Sequence, residues 1–186
     1  MREKGVSWIE DPMNKDDNFA RVKIRHFFKQ LKTIDIDEKR LADTAAILAD
    51  TRAFLQKMVD DFIKNKVRWW ADVAVSLSWK ALCETDRQIG LFVLGELVQK
   101  VGKNDYMPEA TELLRVLEQK EKFSGCTLGK CELIIAAKRL WVVPQDEKNE
   151  LLSKNEWEIF VEKFPSFKNA GLPYKVRRAL KQRLDK

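Results

Sequence analysis

Along most of this chain the apolar residues recur at intervals of three and four, the spacing that lines up side chains on one face of an α-helix. A first helix is predicted over 17–32, with Asp16 or Asp17 as its N-cap. At 100° per residue its Ile24, Phe27, Phe28 and Leu31, continued by Ile34, fall within about a third of the circumference. After the connection "TIDID", a long helix is predicted over 37–64. Leu41, Leu48, Leu55 and Phe62 recur there every seven residues, with Ala45, Arg52 and Val59 at the second seam position. Ile47, Phe54, Met58 and Ile63 widen the stripe to a face suited to packing inside a bundle.

Residues 67–83 read as a helix with two apolar faces, Trp70, Val73, Ala74, Leu77 and Ala81 against Val75, Trp79 and Leu82. Residues 86–101 are apolar almost all round and stop at Gly102, a residue type suited to a helix C-terminus. These two helices are expected at the centre. A fifth helix opens at Pro108 and ends near Phe123, and "SGCTLG" is read as a loop. A sixth covers 130–141 and is stopped by Pro144. Short helices follow within 146–164, then the loop "PSFKNAGLP" and a last helix over 173–184. No period-two run and no Asn-Gly or Asp-Gly hairpin turn stands out. The pattern therefore predicts an all-α fold: a compact bundle of about seven to eight helices around a buried central helix pair. The expected organisation is an N-terminal arm over 1–16 with Trp8 and Ile9 as anchors, a bundle over 17–166, and a basic C-terminal helix within 167–186.

Composition supports a folded, soluble chain, since 45% apolar and 34% charged residues argue against disorder. "MREKGVSWIEDP" has no apolar leader core, and "IGLFVLGELV" is too short to span a bilayer and contains Glu96. A cytoplasmic protein without a membrane span is expected. Three cysteines, an odd number, fit a reducing compartment better than a disulfide framework.

Charge changes the picture more. The net charge is +6, yet residues 21–40 alone carry +4 and residues 167–186 carry +6, so the rest of the chain is net acidic. Two basic segments on an acidic body point to an anionic partner, nucleic acid foremost. On the first helix Arg21, Arg25, Lys29 and Lys32 form a ridge about 80° wide at spacings of four, four and three. On the last, Val176, Leu180 and Leu184 make a narrow apolar seam ringed by Lys175, Arg177, Arg178, Lys181, Arg183 and Lys186. A seam of three residues is expected to dock weakly.

Arg21 and His26 also resemble the minimal R-x4-H signature of the HEPN ribonucleases, which implies a dimeric nuclease with His26 as acid or base. Five residues turn a helix by about 140° beyond a full circle, so the two side chains diverge. Cys83, Cys126 and Cys131 lack paired zinc-knuckle spacing, and "SGCTLGKC" lacks the phosphate-loop pattern. No metal or cofactor is expected. Trp70, Trp141 and Trp157 are read as packing residues and Trp69 as a candidate for a partner surface. The expected function is a non-enzymatic binder of RNA or DNA backbone, a small helical subunit of a larger ribonucleoprotein assembly. Its site residues would be Arg21, Arg25, Lys29, Lys32, Arg177, Arg178, Lys181 and Arg183. The alternatives are a helical protein-interaction adaptor, with a protein partner, and the HEPN-like nuclease.

Overall fold

The computed structural model describes residues 20–34, 36–145, 151–168 and 170–184, except for the side chains of Arg21, Arg25, Lys29 and Lys32. The expected N-terminal arm, and residues 146–150 of the expected short helices, lie outside the described residues. The chain divides into two compact units, residues 1–54 and 55–186.

The first unit holds α1 (Ala20–Lys32) and the beginning of α2 (Glu38–Lys66), both close to the predicted bounds. Asp37 caps α2, its carboxylate accepting from the Arg40 N–H at 2.8 Å. Burial does not follow the amphipathic pattern. Among the described residues of this unit only Val22 is buried, whereas Ile24, Phe27, Leu41, Ile47, Leu48 and Phe54 are exposed. The heptad-like stripe is therefore buried only in its second half, which belongs to the other unit. There Val59 is fully enclosed, and Phe62 and Ile63 pack against the core.

The second unit overturns the all-α expectation, because its centre is a five-stranded antiparallel sheet. The strands are β1 (Val67–Trp70), β2 (Ala74–Ser78), β3 (Gly125–Leu128), β4 (Cys131–Ala136) and β5 (Arg139–Pro144), in the order β1-β2-β5-β4-β3. The helix expected over 67–83 is the β1–β2 hairpin followed by the short helix α3 (Trp79–Glu84), and the helix expected over 130–141 is β4–β5. The expected loop "SGCTLG" contains β3.

All three hairpins carry two successive residues with positive φ: Ala71 and Asp72 (49° and 53°) within the three-residue β1–β2 connection, and Gly129 and Lys130 (53° and 57°) and Ala137 and Lys138 (49° and 60°) as two-residue connections. Positive φ at both central residues is the type I′ turn, whose twist matches that of the flanking strands. Asn-Gly is its usual sequence, and none of these turns uses it.

Strand side chains sort by parity. Val75, Leu77, Leu133, Leu140 and Val142 enter one core cluster, and Ala74, Trp141 and Val143 enter the other. Because both faces are buried, β5, with Leu140, Trp141, Val142 and Val143 in succession, lacks the apolar–polar alternation that usually betrays a strand, while in β2 the alternation of Val75, Ser76, Leu77 and Ser78 is only four residues long.

One face is covered by α4 (Arg87–Gly102), α5 (Ala110–Glu118), α3 and the end of α2. The other is covered by α6 (Lys154–Lys163) and α7 (Tyr174–Leu184). The apolar helix expected over 86–101 is α4; it lies on one face of the sheet rather than in a central helix pair, with Val93, Leu94, Leu97 and Val98 fully buried. Asp86 caps it through its carboxylate, which accepts from the Gln88 and Ile89 N–H groups.

Gly102 plays a different part from the one its position suggested. The left-handed residue that ends α4 is Lys103, at φ 52°. Gly102 instead permits a close crossing: a Cβ there would lie 2.3 Å from the Gly129 carbonyl oxygen and 3.1 Å from Cys131 Sγ.

Candidate functional site

Of the eight predicted basic residues, Arg21, Arg25, Lys29 and Lys32 lie on α1, and their side chains fall outside the described residues. The R-x4-H pair shares that fate through Arg21, while His26 is exposed on the same helix. The other four lie on α7, which the structure describes closely.

Helix α7 does not dock weakly. Val176 and Leu180 are completely buried and Ala179 nearly so, in the cluster with Trp70, Trp141, Val143 and Phe160. The three-residue seam undercounts this contact, because the opposing sheet face and α6 contribute large aromatic rings. Burying such side chains stabilises by roughly 1.5–3 kcal/mol each.

The cations of α7 are placed with equal care. Lys175 and Arg178 both reach Glu132 on β4, Arg178 at 3.8 Å, and both Arg178 and Glu132 are largely shielded from solvent. Lys181 pairs with Glu156 on α6. Arg177 donates through Nε to the Leu172 carbonyl at 2.7 Å, and its guanidinium lies over the Trp157 ring, 5.6 Å from the centroid. Arg183 is exposed. Three of the four predicted residues, Arg177, Arg178 and Lys181, thus help to seat the helix and are half-buried.

Glu156 serves two partners. It closes a capping box at the start of α6, its carboxylate accepting from the Ser153 N–H at 2.8 Å while Ser153 Oγ accepts from the Glu156 N–H at 3.2 Å. The hydrogen bond from Lys181, then those involving Ser153, hold the Glu156 carboxyl down at about 2.

The remaining shifted groups are the cysteines, and burial raises all three. Cys131 is completely buried on β4, donates to the Val98 carbonyl at 3.4 Å, and is pushed up to about 12, against a smaller opposing effect of Arg183. Cys83 and Cys126 are half-buried. Such thiols are protonated at neutral pH and poor nucleophiles. Among the described residues no three His, Cys, Asp or Glu side chains converge as metal ligands.

The tryptophans fall largely where packing requires. Trp70 is buried, donates from Nε1 to Ser76 Oγ at 3.0 Å, and has the Arg68 guanidinium 4.0 Å from its ring. Trp69 packs, half-buried, against the opposite core cluster. Trp157 is also half-buried and stacks on Phe160, with ring centroids 5.2 Å apart. Sequence reasoning gave no role to Tyr174, which is 46% exposed at the start of α7, its hydroxyl accepting from the Leu152 N–H at 2.8 Å.

Two clefts open on the second unit. One, of 220 Å³, lies between α3, α4 and α5 beside the Arg87–Glu118 ion pair and includes Cys83. The other, of 320 Å³, is lined by Asn104, Tyr106, Met107 and Lys130. Neither includes any of the predicted basic residues. Among the described residues, no helix is long and apolar enough to cross a membrane.

No protein-family model matches the chain. Two curated proteins do resemble it. The tRNA(Ile)-lysidine synthase of Ruegeria pomeroyi is 26% identical over 141 residues, covering 75% of this chain and 33% of that protein. The tRNA(Ile)-lysidine synthase of Thermotoga sp. strain RQ2 is 31% identical over 133 residues, covering 67% of this chain and 29% of that protein. The chain thus spans about a third of the length of the curated relatives it matches. Both relatives are named as enzymes, and this overturns the expectation of a non-enzymatic binder. The RNA connection in that expectation agrees with their names.

Proposed function

We propose that this chain acts in tRNA modification, in an enzyme of the lysidine-synthase kind, and that its basic segments help to hold the tRNA. The observation that carries this reading is the likeness to two proteins of the same name over two thirds or more of the chain. The charge layout supports it independently. The chain concentrates +4 in residues 21–40 and +6 in residues 167–186, and a polyanionic partner relieves the repulsion within each segment.

In this reading Arg21, Arg25, Lys29 and Lys32 contact backbone phosphates from one face of α1, and Arg177, Arg178, Lys181 and Arg183 add contacts from α7. Backbone contacts of this kind fix position and tolerate sequence, so discrimination among tRNAs rests on other groups. Glu132 and Glu156 hold the α7 cations in place before the partner arrives, which lowers the entropy lost on binding.

The experiment is to purify the chain from cells after ultraviolet crosslinking and to sequence the RNA it carries. tRNA, with tRNA(Ile) foremost, should be enriched over its share of cellular RNA. Recovery of no RNA, or of RNA in cellular proportions, would contradict the proposal.

A further inference from the structure

On α7, Tyr174, Arg177 and Lys181 succeed one another at spacings of three and four, so they share one helix face. That face meets the N-terminal part of α6. Tyr174 is held by the backbone of Leu152, Arg177 lies over Trp157, and Lys181 reaches Glu156. The planar groups continue inward: Trp157 stacks on Phe160 at an interplanar angle of 25°, and Phe160 on Phe167 at 22°. Phe160 is fully buried, whereas Trp157 and Arg177 are half-buried and Tyr174 is exposed. A series of stacked rings therefore leads from the core to the surface, where a guanidinium and a phenol ring stand beside it.

Among the described residues Arg177 and Arg183 are the α7 cations without a carboxylate partner, and of the two Arg177 is the one whose guanidinium is held in place. Lys175, Arg178 and Lys181 each reach a carboxylate, while Arg177 meets a carbonyl oxygen and a π-face among the described residues. Both of its partners fix the orientation of the guanidinium without neutralising it. An oriented, charged plane beside an exposed aromatic ring suits an unpaired nucleobase: the base stacks on either plane, and its phosphate meets the surrounding cations.

We propose that this α6–α7 edge is a stacking site for an unpaired nucleobase of the bound tRNA, with Arg177, Trp157 and Tyr174 as its planar groups. The inference rests on the tRNA reading above and deepens it, because it assigns to Arg177 a contact with a base rather than with a phosphate alone. It also gives a function to Tyr174, which stays 46% exposed while its hydroxyl is hydrogen-bonded.

The test uses the full chain with two probes, a tRNA(Ile) transcript and a short single-stranded oligoribonucleotide containing 2-aminopurine, whose fluorescence is quenched by stacking. The parent protein should bind both and quench the 2-aminopurine. Arg177→Lys keeps the charge and loses the plane, and Tyr174→Leu loses the ring. Each should weaken oligonucleotide binding about tenfold and reduce the quenching. Tyr174→Phe keeps the ring, loses the bond to Leu152, and should bind as the parent does. Far-UV circular dichroism and melting confirm that each variant is folded, and Arg177→Lys and Tyr174→Leu test the site independently if one is not. Parent-like binding and quenching by both Arg177→Lys and Tyr174→Leu would overturn the stacking site while leaving tRNA binding intact. Failure of the parent to bind either probe at low salt would overturn both readings.

Discussion

Replacing Leu180 with Ala tests whether α7 belongs to the core. The side chain has no exposed surface and sits in a cluster with Val176 (0% exposed), Phe160 (1%) and Trp141 (4%). The surroundings are rigid rings and a sheet face, which collapse poorly into a vacated volume. The cost therefore belongs in the middle of the range for buried Leu→Ala changes, about 3–4 kcal/mol. With a urea m-value of about 2 kcal/mol per M, the unfolding midpoint should fall by about 1.5–2 M. Leu48→Ala, at a position 63% exposed on α2, is the paired control and should change stability by less than about 0.5 kcal/mol. Urea titration followed by far-UV circular dichroism measures both. A midpoint shift below about 0.3 M for Leu180→Ala would refute the docking of α7 and return it to the weakly held helix that its narrow seam suggested.

Two further predictions follow from local geometry. The Glu156 carboxyl is held at about 2, below its ordinary value, so its contribution is complete above the unfolded-state pKa of about 4.3 and is lost as pH falls toward 2. Melting temperatures across pH 2–6 should therefore fall less steeply for Glu156→Gln than for the parent, with the curves differing most above pH 5; identical slopes would show that the Lys181 and Ser153 contacts are not kept in solution. The exposed β4–β5 turn places Ala137 and Lys138 in the left-handed region at a cost of about 1 kcal/mol each. The pair Ala137→Asn with Lys138→Gly should raise the unfolding free energy by about 1 kcal/mol, and a lowered melting temperature would contradict the type I′ assignment.

How far the structure is legible in the sequence depends on what each segment buries. Helices α2 and α4 were readable because capping residues and apolar spacing agree, at Asp37 and Asp86, and α1 was readable from its apolar spacing. Strands β2 and β5 were not. Both are buried on both faces; the apolar run in "RLWVVP" fits a helix as well as a strand, and the alternation in "AVSLS" is too short to stand out. The turns gave no warning, since Ala-Asp and Ala-Lys replace the glycine-bearing pairs that usually mark a two-residue hairpin. β-branched residues were the usable signal: Val73 and Val75 follow Trp69 and Trp70, and Ile134, Ile135, Val142 and Val143 cluster within ten residues.

For the candidate site, the cations of α7 were found from charge alone, whereas their carboxylate partners were not. Glu132 lies on a strand that was read as a helix, and Glu156 is distant in sequence. The stacking of Arg177 on Trp157 depends on the packing of α6 against α7, which no local pattern encodes. The likeness to two proteins named as tRNA(Ile)-lysidine synthases rests on overall similarity and not on any motif singled out above.

Whether the basic segments hold tRNA is tested most directly by titrating a tRNA(Ile) transcript by fluorescence anisotropy over a series of salt concentrations. Binding should be saturable, with a logarithmic affinity that falls linearly with logarithmic salt concentration. Changing Arg21, Arg25 and Lys29 together to Glu should weaken binding and make that slope shallower by about 2 to 3. Binding that is absent at low salt, or a triple variant with the parent's affinity and slope, would contradict tRNA binding by these segments.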